Sequence, residues 1–214
     1  MARVGVLTYF QGLKSRGEPT QLVAAYGGLN LGVELIDFPT WGTRKGVIAE
    51  FLPYITEEGT GKVIVETEVI MKYLGEKAGM VADEKQEALC KIANGAPIQI
   101  ADPQYNVPDP TAFGAPKYED WYPTAVPVLK EYAEKLGDGP FFAGAAPGYA
   151  EAFVWHNLDN CFSLDKAKFA EDVGPDFAKL EAFYDAFAAL PGVKDYLAAR
   201  PTTWGIPGSK ANPA

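Results

Sequence analysis

The sequence has few histidines and cysteines, the side chains that hold zinc and perform imidazole and thiol chemistry. It contains one histidine, His156, and two cysteines, Cys90 and Cys161, among 214 residues. Structural zinc sites take four Cys or His ligands, so this chain offers too few. A Ser-His-Asp or Cys-His centre would have to use His156, and nothing near it resembles a nucleophile turn. We therefore expect no metal, and we expect His156 to be packed or hydrogen-bonded in the interior.

The two cysteines give no sign of a redox centre or a disulfide. Cys90 and Cys161 lie far apart, and no Cys-x-x-Cys motif occurs. No signal peptide precedes the first strand-like run, so we expect a cytoplasmic protein. Disulfides are rare in such reducing compartments. The sequence therefore predicts two buried free thiols.

Basic residues and long apolar runs are also scarce. The chain has 19 Lys and Arg against 28 Asp and Glu, a formal net charge of −9. Nucleic-acid binding needs a basic face for phosphate contacts, and electrostatic docking on membranes needs a polybasic segment. No apolar run approaches the roughly 20 residues of a membrane span. We expect neither nucleic acid nor a membrane as a partner, and 48% apolar content indicates a globular chain.

Glycine and proline, in contrast, are abundant. There are 22 Gly and 17 Pro residues, and seven of the prolines lie between Pro97 and Pro127. Proline removes a backbone donor and breaks or kinks a helix. We predict an irregular segment over 97–127, with a broken or shortened helix and a loop that carries aromatic residues.

Hydrophobic periodicity indicates an α/β pattern over the first eighty residues. Val4–Thr8 and Val33–Phe38 are strand-like runs with a helix between them. Ser15 and Glu18 have the spacing of a capping box, which predicts the start of that helix, and it runs to about Tyr26. Residues 40–49 predict only a poor helix or a loop. Two short strands joined by a tight turn at 57–61 predict a hairpin, followed by a helix from Glu66 or Thr67 to Gly79.

The rest of the chain shows helical spacing. Residues 149–162 are apolar nearly all round, which predicts a central buried helix. The other apolar stripes lie at 89–100, 126–136, 177–190 and 193–199. The predicted fold class is therefore α/β plus all-α, with the two units meeting near Met80–Lys85.

Five motifs in this order resemble the cytosolic glutathione transferases, most closely the group with a Tyr after the first strand (alpha, mu, pi and sigma-like classes). The resemblance covers nearly the whole chain. The motifs are LTYF followed by RGEP, then FLPYI, VETEVIMKYL, FFAGAAPGYAEAFVWHNLD and LPGVKDYLAARP. It implies a thioredoxin-like glutathione-binding domain over 1–79, a linker over 80–86 and an all-helical domain over 87–200 that contains the irregular segment. Residues 201–214 form a tail, and the family usually forms homodimers.

The resemblance also implies catalytic residues. The reaction of this family adds the glutathione thiolate to an electrophile, and a thiol is a poor nucleophile until it is ionised. Tyr9 is expected to donate its phenolic O–H to the sulfur, at a place where the N-terminus of the first helix also favours an anion. Arg16 matches the family arginine beside that helix start. The alternatives are an ordinary strand-end aromatic for Tyr9 and a surface arginine for Arg16.

Glutathione itself needs anchors along its length. The resemblance implies that Leu52 bonds the cysteinyl backbone, with a cis bond between Leu52 and Pro53. The γ-glutamyl carboxylate is expected at the helix start of Thr67, and its ammonium at Glu66, where many relatives have Gln. Lys45 and the indole N–H of Trp41 are expected to meet the glycine carboxylate. The alternatives are a plain helix cap for Glu66 and Thr67, a solvated Lys45 and a packed Trp41.

Three departures from the family pattern concern the rest of the site. Phe51 replaces a residue that is often Gln or Lys, so one polar contact is missing. The helical-domain acid that reaches the glutathione of the other subunit has no clear counterpart, although Asn94, Gln99 and Asp102 lie nearby. The core helix has Gly148 at its cap and Glu151 in place of the buried Asp.

We expect the electrophile to bind in an apolar pocket between the domains, formed by Phe10, Tyr105 and Trp204. Core packing is the alternative for each of these aromatic residues. The leading interpretation is a transferase that uses glutathione as co-substrate on small apolar electrophiles. The alternatives are a glutathione-dependent isomerase of the sigma-like type, and a non-catalytic ligand-binding or crystallin-like protein on the same scaffold.

Overall fold

The structure, a computed structural model, describes residues 2–96 and 118–201, with the side chain of Tyr118 excepted. Among these residues, the first unit contains four strands and three helices, and the second contains five helices. In chain order these are β1 Arg3–Phe10, α1 Gly17–Tyr26, β2 Asn30–Ile36, α2 Phe38–Arg44, β3 Tyr54–Glu57, β4 Val63–Val65, α3 Thr67–Lys77, α4 Glu84–Gly95, α5 Tyr118–Leu136, α6 Glu151–Val173, α7 Phe177–Ala188 and α8 Pro191–Ala199. This confirms the predicted α/β unit followed by a helical unit.

The strands form one mixed sheet in the order β2-β1-β3-β4. β1 is parallel to β2 and antiparallel to β3, and β3 and β4 form the predicted hairpin. Leu7, Ile55 and Ile64 lie side by side across three strands and are buried. Their common face packs with apolar residues of α1 and α3, which fixes the register because a slip of one residue would expose all three.

α6 forms the centre of the helical unit. Every residue from Glu151 to Cys161 is buried, as the continuous apolar pattern predicts. α6 packs against α1, α4, α5 and α7, so its first half lies in the interface between the two units. A non-helical Asp165 then kinks the helix, and its Oδ1 accepts the N–H of Lys168 at 3.1 Å to begin the second half.

The start of α1 differs from the sequence prediction. Arg16, not Ser15, is the N-cap residue, and it makes no side-chain capping bond. Ser15 has φ 28°, and the Glu18 side chain turns into the helical unit to bond His156 instead of the helix start. The capping-box prediction is therefore wrong, because a buried partner 138 residues away takes the carboxylate.

The predicted linker over 80–86 is too long at its C-terminal end. α4 begins at Glu84, because the carboxylate of Asp83 accepts the N–H of Gln86 at 3.0 Å and caps the helix there. α2 is likewise better defined than predicted, with Asp37 accepting the N–H of Thr40 at 2.8 Å.

Part of the predicted irregular segment is helical. α5 begins at Tyr118 and continues through Pro123 and Pro127, whereas residues 97–117 lie outside the described part of the chain. Each proline costs a helix about 3 kcal/mol. Both prolines lie on the exposed face, and the opposite face buries an apolar stripe that includes Trp121 and Leu129. Burial of that stripe outweighs the lost bonds, so the prediction of irregular structure over 118–127 is wrong.

The cysteines and the histidine are buried, as the sequence predicts. Cys90 and Cys161 are free and buried, and His156 is fully buried and hydrogen-bonded. None of the described helices is both long and apolar enough to cross a membrane. Within residues 2–96 and 118–201, no three His, Cys, Asp or Glu side chains are grouped so as to hold a metal ion.

Candidate functional site

The predicted site residues meet at one edge of the sheet. Thr8 pairs with Tyr54 on β3, and Tyr54 pairs with Val65 on β4. Tyr9 therefore lies beside the residues that precede β3 and those that follow β4. β2 runs parallel to β1 and also ends at this edge, where it leads into α2. Topology thus gathers segments that are up to about sixty residues apart in the chain.

Tyr9 is buried, and its ring packs directly against the start of α1. A Cβ atom on Gly17 would lie 2.6 Å from Cγ and 2.8 Å from Cε1 of the ring, so only glycine fits here without displacement. The first N–H groups of a helix have no intrahelical acceptor and carry a partial positive charge. The phenol and the helix N-terminus therefore lie in contact, as the predicted pairing for an anion requires.

The loop between β1 and α1 is organised around the backbone of Lys14. Its carbonyl accepts the N–H groups of Gly17 and Glu18, each at 2.9 Å. Arg16 is exposed at the N-cap of α1, beside the sheet edge. Its predicted contribution to the positive potential of the site stays a prediction.

The segment before β3 has the predicted backbone geometry. The peptide bond between Leu52 and Pro53 is cis, which confirms that prediction. Pro53 is buried, Leu52 is partly buried, and the preceding Phe51 is 69% exposed.

Glu66 and Thr67 form the start of α3. Glu66 is exposed, and it has φ 70°, a left-handed conformation that costs a non-glycine residue about 1–3 kcal/mol. The first backbone bond of the helix runs from the N–H of Ile70 to the carbonyl of Glu66 at 2.9 Å, so the N–H groups of residues 67–69 point out of the helix start. Such strained positions cluster at binding sites. The carboxylate and the three N–H groups suit an ammonium and a carboxylate, respectively.

The next residue of α3 connects this site to the helical unit. The Glu68 carboxylate accepts from Asn94 Nδ2 of α4 at 2.8 Å. Asn94 thus bonds a residue next to the anchor within the same chain. Of the other two candidates for a helical-domain contact, Gln99 and Asp102, both lie outside the described residues.

α2 carries the predicted anchors for the opposite end of the peptide. Trp41 is partly buried, and its ring lies edge-on to Phe10 with centroids 6.4 Å apart. Arg44 is held by Glu34 through two hydrogen bonds of 2.8 Å. Lys45, the next residue, is exposed, and it has no ion pair with any residue that the structure describes. Of the two adjacent cations, Lys45 is therefore the one available to an external carboxylate.

A cleft of about 410 Å³ lies between the loop after β1 and the end of α8. Phe10 lines it, while Tyr105 and Trp204, the other two residues expected in the electrophile pocket, lie outside the described residues. The walls are mostly apolar, with one guanidinium, that of Arg200. The other residues that line the cleft are Gln11, Gly12, Leu13, Gln21, Leu35, Tyr196, Ala199 and Pro201.

Sequence reasoning missed Tyr196 and Arg200 as part of this cleft. Their spacing of four residues on a helix places both side chains on one face, and that was the only signal available. It does not reveal that α8 packs against α1, which is what brings this face to the loop after β1.

A buried ionic cluster joins this loop to the helical unit. We define it as Lys14, Glu18, His156, Asp159 and Arg200. Lys14 Nζ donates to Asp159 Oδ2 at 3.0 Å, and Arg200 Nη1 donates to Glu18 Oε1 at 2.9 Å and to Asp159 Oδ2 at 3.1 Å. His156 Nδ1 lies 2.7 Å from Glu18 Oε2. The cluster cannot be predicted from the sequence, because its members come from three distant segments.

The neighbouring cations lower the pKa of both carboxyl groups of the cluster. Burial acts to raise the pKa of Glu18, but the hydrogen bond from His156 and the charges of His156 and Lys14 outweigh burial and lower it. Burial likewise acts to raise the pKa of Asp159, and Lys14 and Arg200 lower it below its usual value. Asn160 Nδ2 lies 3.2 Å from His156 Nε2, on the side of the imidazole away from Glu18. Lys14 and Arg200 are the two cations that pair with the two carboxylates.

The cysteines are not candidates for the chemistry. Burial raises the pKa of both thiols well above the usual range, with a smaller effect of the Glu68 charge on Cys90. A reactive cysteine needs a lowered pKa and access to solvent. The reacting thiol of the predicted chemistry must therefore come from outside the chain.

Comparison with known proteins agrees with this geometry. Residues 108–200 match the family model described as the C-terminal domain of glutathione S-transferase. A search of curated proteins found no match. The solved structures that the chain resembles include a Pi-class glutathione S-transferase of Onchocerca volvulus, with a TM-score of 0.73, 17% identity and coverage of 92% of this chain and 93% of that one.

Two other solved structures show the same fold. Prostaglandin synthase D of Nilaparvata lugens has a TM-score of 0.65 and 19% identity, covering 95% of this chain and 100% of that one. Monomeric Na-GST-3, a glutathione S-transferase from the hookworm Necator americanus, has a TM-score of 0.70 and 16% identity. The alignment covers 94% of this chain and 98% of that one. The family model thus assigns residues 108–200 to the C-terminal domain of glutathione S-transferases, and the described part of the chain has the fold of these solved transferases.

Proposed function

We propose that the protein is a glutathione transferase that adds the glutathione thiolate to small apolar electrophiles. The observation that carries this proposal is the order of the anchors along one sheet edge. The strand order β2-β1-β3-β4 places α2 after β2 at one side, Tyr9 and Leu52 in the middle, and α3 after β4 at the other.

That order is the order of groups in glutathione. Lys45 and Trp41 of α2 are suited to the glycine carboxylate, Leu52 to the cysteinyl backbone, and Glu66 and the start of α3 to the γ-glutamyl group. Strands in a sheet lie about 4.8 Å apart, so the edge from β2 to β4 is about 14 Å long. An extended three-unit peptide covers about 10 Å of it, at about 3.5 Å per residue, which leaves a few ångströms to the side chains of the outer anchors.

The middle of this edge supplies the means to ionise the thiol. Tyr9 is in van der Waals contact with Gly17 at the N-terminus of α1. A phenolic O–H that donates to sulfur stabilises the thiolate, and the helix N-terminus favours the same charge. A lowered thiol pKa increases the fraction of nucleophile at neutral pH. The cleft beside Phe10 supplies an apolar place for the electrophile.

The test combines binding and catalysis. Retention on immobilised glutathione measures the anchors, and conjugation of a chromogenic aryl halide measures the chemistry, with Tyr9→Phe beside the wild type. Tyr26→Phe is the matched control, because Tyr26 lies at the other end of α1 and packs against Phe187. We expect Tyr9→Phe to bind glutathione and to lose most of its kcat. Equal conjugation by the two variants removes the Tyr9 assignment, and a wild type that neither binds nor conjugates favours the non-catalytic carrier.

A second candidate function is a glutathione-dependent isomerase. It is supported by the similarity to prostaglandin synthase D of Nilaparvata lugens, with which the chain shares its fold over nearly its whole length. An isomerase returns glutathione unchanged, whereas a transferase consumes it. Measuring the loss of free thiol per mole of product, on a panel of electrophiles and cyclic peroxides, separates the two.

We propose further that the protein is a homodimer in the cytoplasm, with a role in detoxification. The first unit exposes the apolar side chains of Phe51, Val65 and Val69, with Phe51 69% exposed. Analytical ultracentrifugation tests the assembly, and Phe51→Ser should shift a dimer toward monomer. A monomer is the alternative to this dimer, because the similar hookworm structure is described as monomeric.

A further inference from the structure

We propose that Asp159 of α6 is a positioning residue for Tyr9: it holds the loop between β1 and α1 against the helical unit through the buried ionic cluster. This inference rests on the proposed function, in which Tyr9 is the group that activates the thiol. Asp159 lies on a different unit and acts only through Lys14 and Arg200.

The first step of the connection is the ion pair between Asp159 and Lys14. Lys14 is 5% exposed, an unusual state for a lysine, and its Nζ lies 3.0 Å from Asp159 Oδ2. Tyr184 donates its O–H to the other oxygen, Oδ1, at 2.9 Å. A buried lysine is stable only when its charge is paired, so Asp159 determines where the Lys14 side chain lies.

The second step is the backbone of Lys14. Its carbonyl accepts the N–H groups of Gly17 and Glu18 at 2.9 Å, which places the first turn of α1 relative to the loop. Gly17 in turn contacts the Tyr9 ring so closely that a Cβ atom has no room. Each step from Asp159 to the Tyr9 ring is thus a direct contact, and none of them passes through flexible surface side chains.

A second connection fixes the same turn from the other side. Glu18 follows Gly17 directly, and its carboxylate is bonded by His156 at 2.7 Å and by Arg200 at 2.9 Å. Arg200 also bonds Asp159, so the two connections share one guanidinium. Lys14 and Glu18, the charged residues on either side of the start of α1, are therefore both bonded to the helical unit. Asp159 accepts hydrogen bonds from both Lys14 and Arg200, so it takes part in both connections.

The glutathione anchors lie elsewhere. Lys45, Leu52 and Glu66 belong to α2, to the segment before β3 and to the start of α3, and none of them has a described contact with the cluster. Loss of Asp159 should therefore change catalysis more than glutathione affinity. A displacement of about 1 Å from productive geometry can cost about 100-fold in rate.

The experiment compares Asp159→Asn with Asp172→Asn, a control on the same helix whose exposed carboxylate also accepts a tyrosine O–H. Three quantities are measured for each variant. They are kcat on an aryl halide, the Kd of glutathione by calorimetry, and the ¹⁹F spectrum of 3-fluorotyrosine placed at position 9. We expect Asp159→Asn to lower kcat by about 10-fold or more with the Kd within about threefold, and to shift the ¹⁹F resonance. Asp172→Asn should match the wild type in all three.

Lys14→Met provides a second perturbation of the same bond, should Asp159→Asn not fold. It leaves Asp159 paired with Arg200 and Tyr184. The double variant Lys14→Met with Asp159→Asn should be no slower than the slower single variant, because both changes break one connection. A general loss of structure would instead raise the Kd and lower kcat together, and the effects of the two substitutions would add in the double variant.

The outcomes separate this proposal from the function on which it rests. A folded Asp159→Asn with the kcat and ¹⁹F spectrum of Asp172→Asn overturns the positioning role while Tyr9 catalysis stands. If the wild type does not conjugate glutathione to the aryl halide, the proposed function is wrong. The ¹⁹F shift between Asp159→Asn and the wild type then tests the positioning role by itself. Equal losses in kcat and glutathione affinity would show that Asp159 acts on the fold as a whole.

Discussion

The contact between Gly17 and Tyr9 leads to a quantitative prediction for Gly17→Ala. The new Cβ atom would lie within 2.8 Å of three ring atoms of Tyr9. Carbon atoms in contact are about 3.5–4.0 Å apart, so the ring must move by about 1 Å. A shift of this size can cost about 100-fold in rate, which is about 2.7 kcal/mol in activation free energy.

The same substitution should leave the fold intact. Overpacking costs about 1–3 kcal/mol of unfolding free energy, and replacing glycine by alanine in a helix returns up to about 1 kcal/mol. The net loss is therefore about 0–3 kcal/mol, which for a chain of this length lowers Tm by at most about 10 °C. Loss of rate through displacement of Tyr9 should then be visible in a folded protein.

The assay is the initial rate of aryl halide conjugation at saturating glutathione. Gly95→Ala is the matched control, because it lies at the end of α4 with no atom of a described residue within 4 Å of its new Cβ atom. We expect Gly17→Ala to lower kcat by about 10- to 100-fold and Gly95→Ala to leave it unchanged. In a Tyr9→Phe background, Gly17→Ala should have little further effect, since both act on one hydroxyl.

Two results would refute this reasoning. A wild-type kcat in Gly17→Ala would show that the ring adjusts without changing the position of its O–H. An equal loss in the Tyr9→Phe background would show that the alanine acts through something other than the hydroxyl, such as the N–H groups of the helix start.

Three further predictions concern single side chains. Glu66→Gln should raise the Kd of glutathione about 5- to 30-fold at low salt, with a smaller effect on kcat, because a charge-assisted bond of about 1–2 kcal/mol becomes neutral; calorimetry at two ionic strengths measures it, and no salt dependence of the difference would contradict it. Lys45→Met should weaken glutathione binding more than Lys62→Met, a control in the turn before β4. Burial raises the pKa of Glu151 to about 7 although backbone N–H groups of Gly148 and Ala143 bond it. Its contribution to the free energy of unfolding is therefore complete below about pH 4.5 and falls by about 3 kcal/mol as the pH rises to 7. Measured by denaturant unfolding, the stability of Glu151→Gln should not fall in this way. Wild-type and variant stabilities that change with pH in parallel would contradict the prediction.

Local patterns predict the part of the site that lies on the sheet edge. The cis bond at Leu52–Pro53, the β3–β4 hairpin and the start of α3 near Thr67 each follow from a few neighbouring residues or from a short motif. Strand alternation and helix period are properties of the local chain, so the elements that carry Tyr9 and Glu66 can be placed without tertiary contacts.

Prediction failed where a distant partner competes with a local one. Ser15 and Glu18 have the spacing of a capping box, but Glu18 bonds His156 and Arg200 instead. The local bond would cap one helix start, whereas the distant one satisfies a charge that the packing of α1 against α6 and α8 has already buried. Leaving a buried carboxylate unpaired costs more than leaving a helix start uncapped. Pro123 and Pro127 were misjudged for a related reason, since burial of the opposite face of α5 decides the structure.

The unpredicted residues make the two units depend on each other at the site. Lys14 and Glu18 belong to the first unit, but their charges are balanced by Asp159 and Arg200 of the second. Without those partners, two buried charges at the start of α1 would have to reach solvent, and the turn that contacts Tyr9 would rearrange with them. The catalytic geometry proposed for Tyr9 is therefore a property of the joined units rather than of the thioredoxin-like domain. This explains why a motif in the first unit correctly locates the tyrosine but contains no information on what holds it in place.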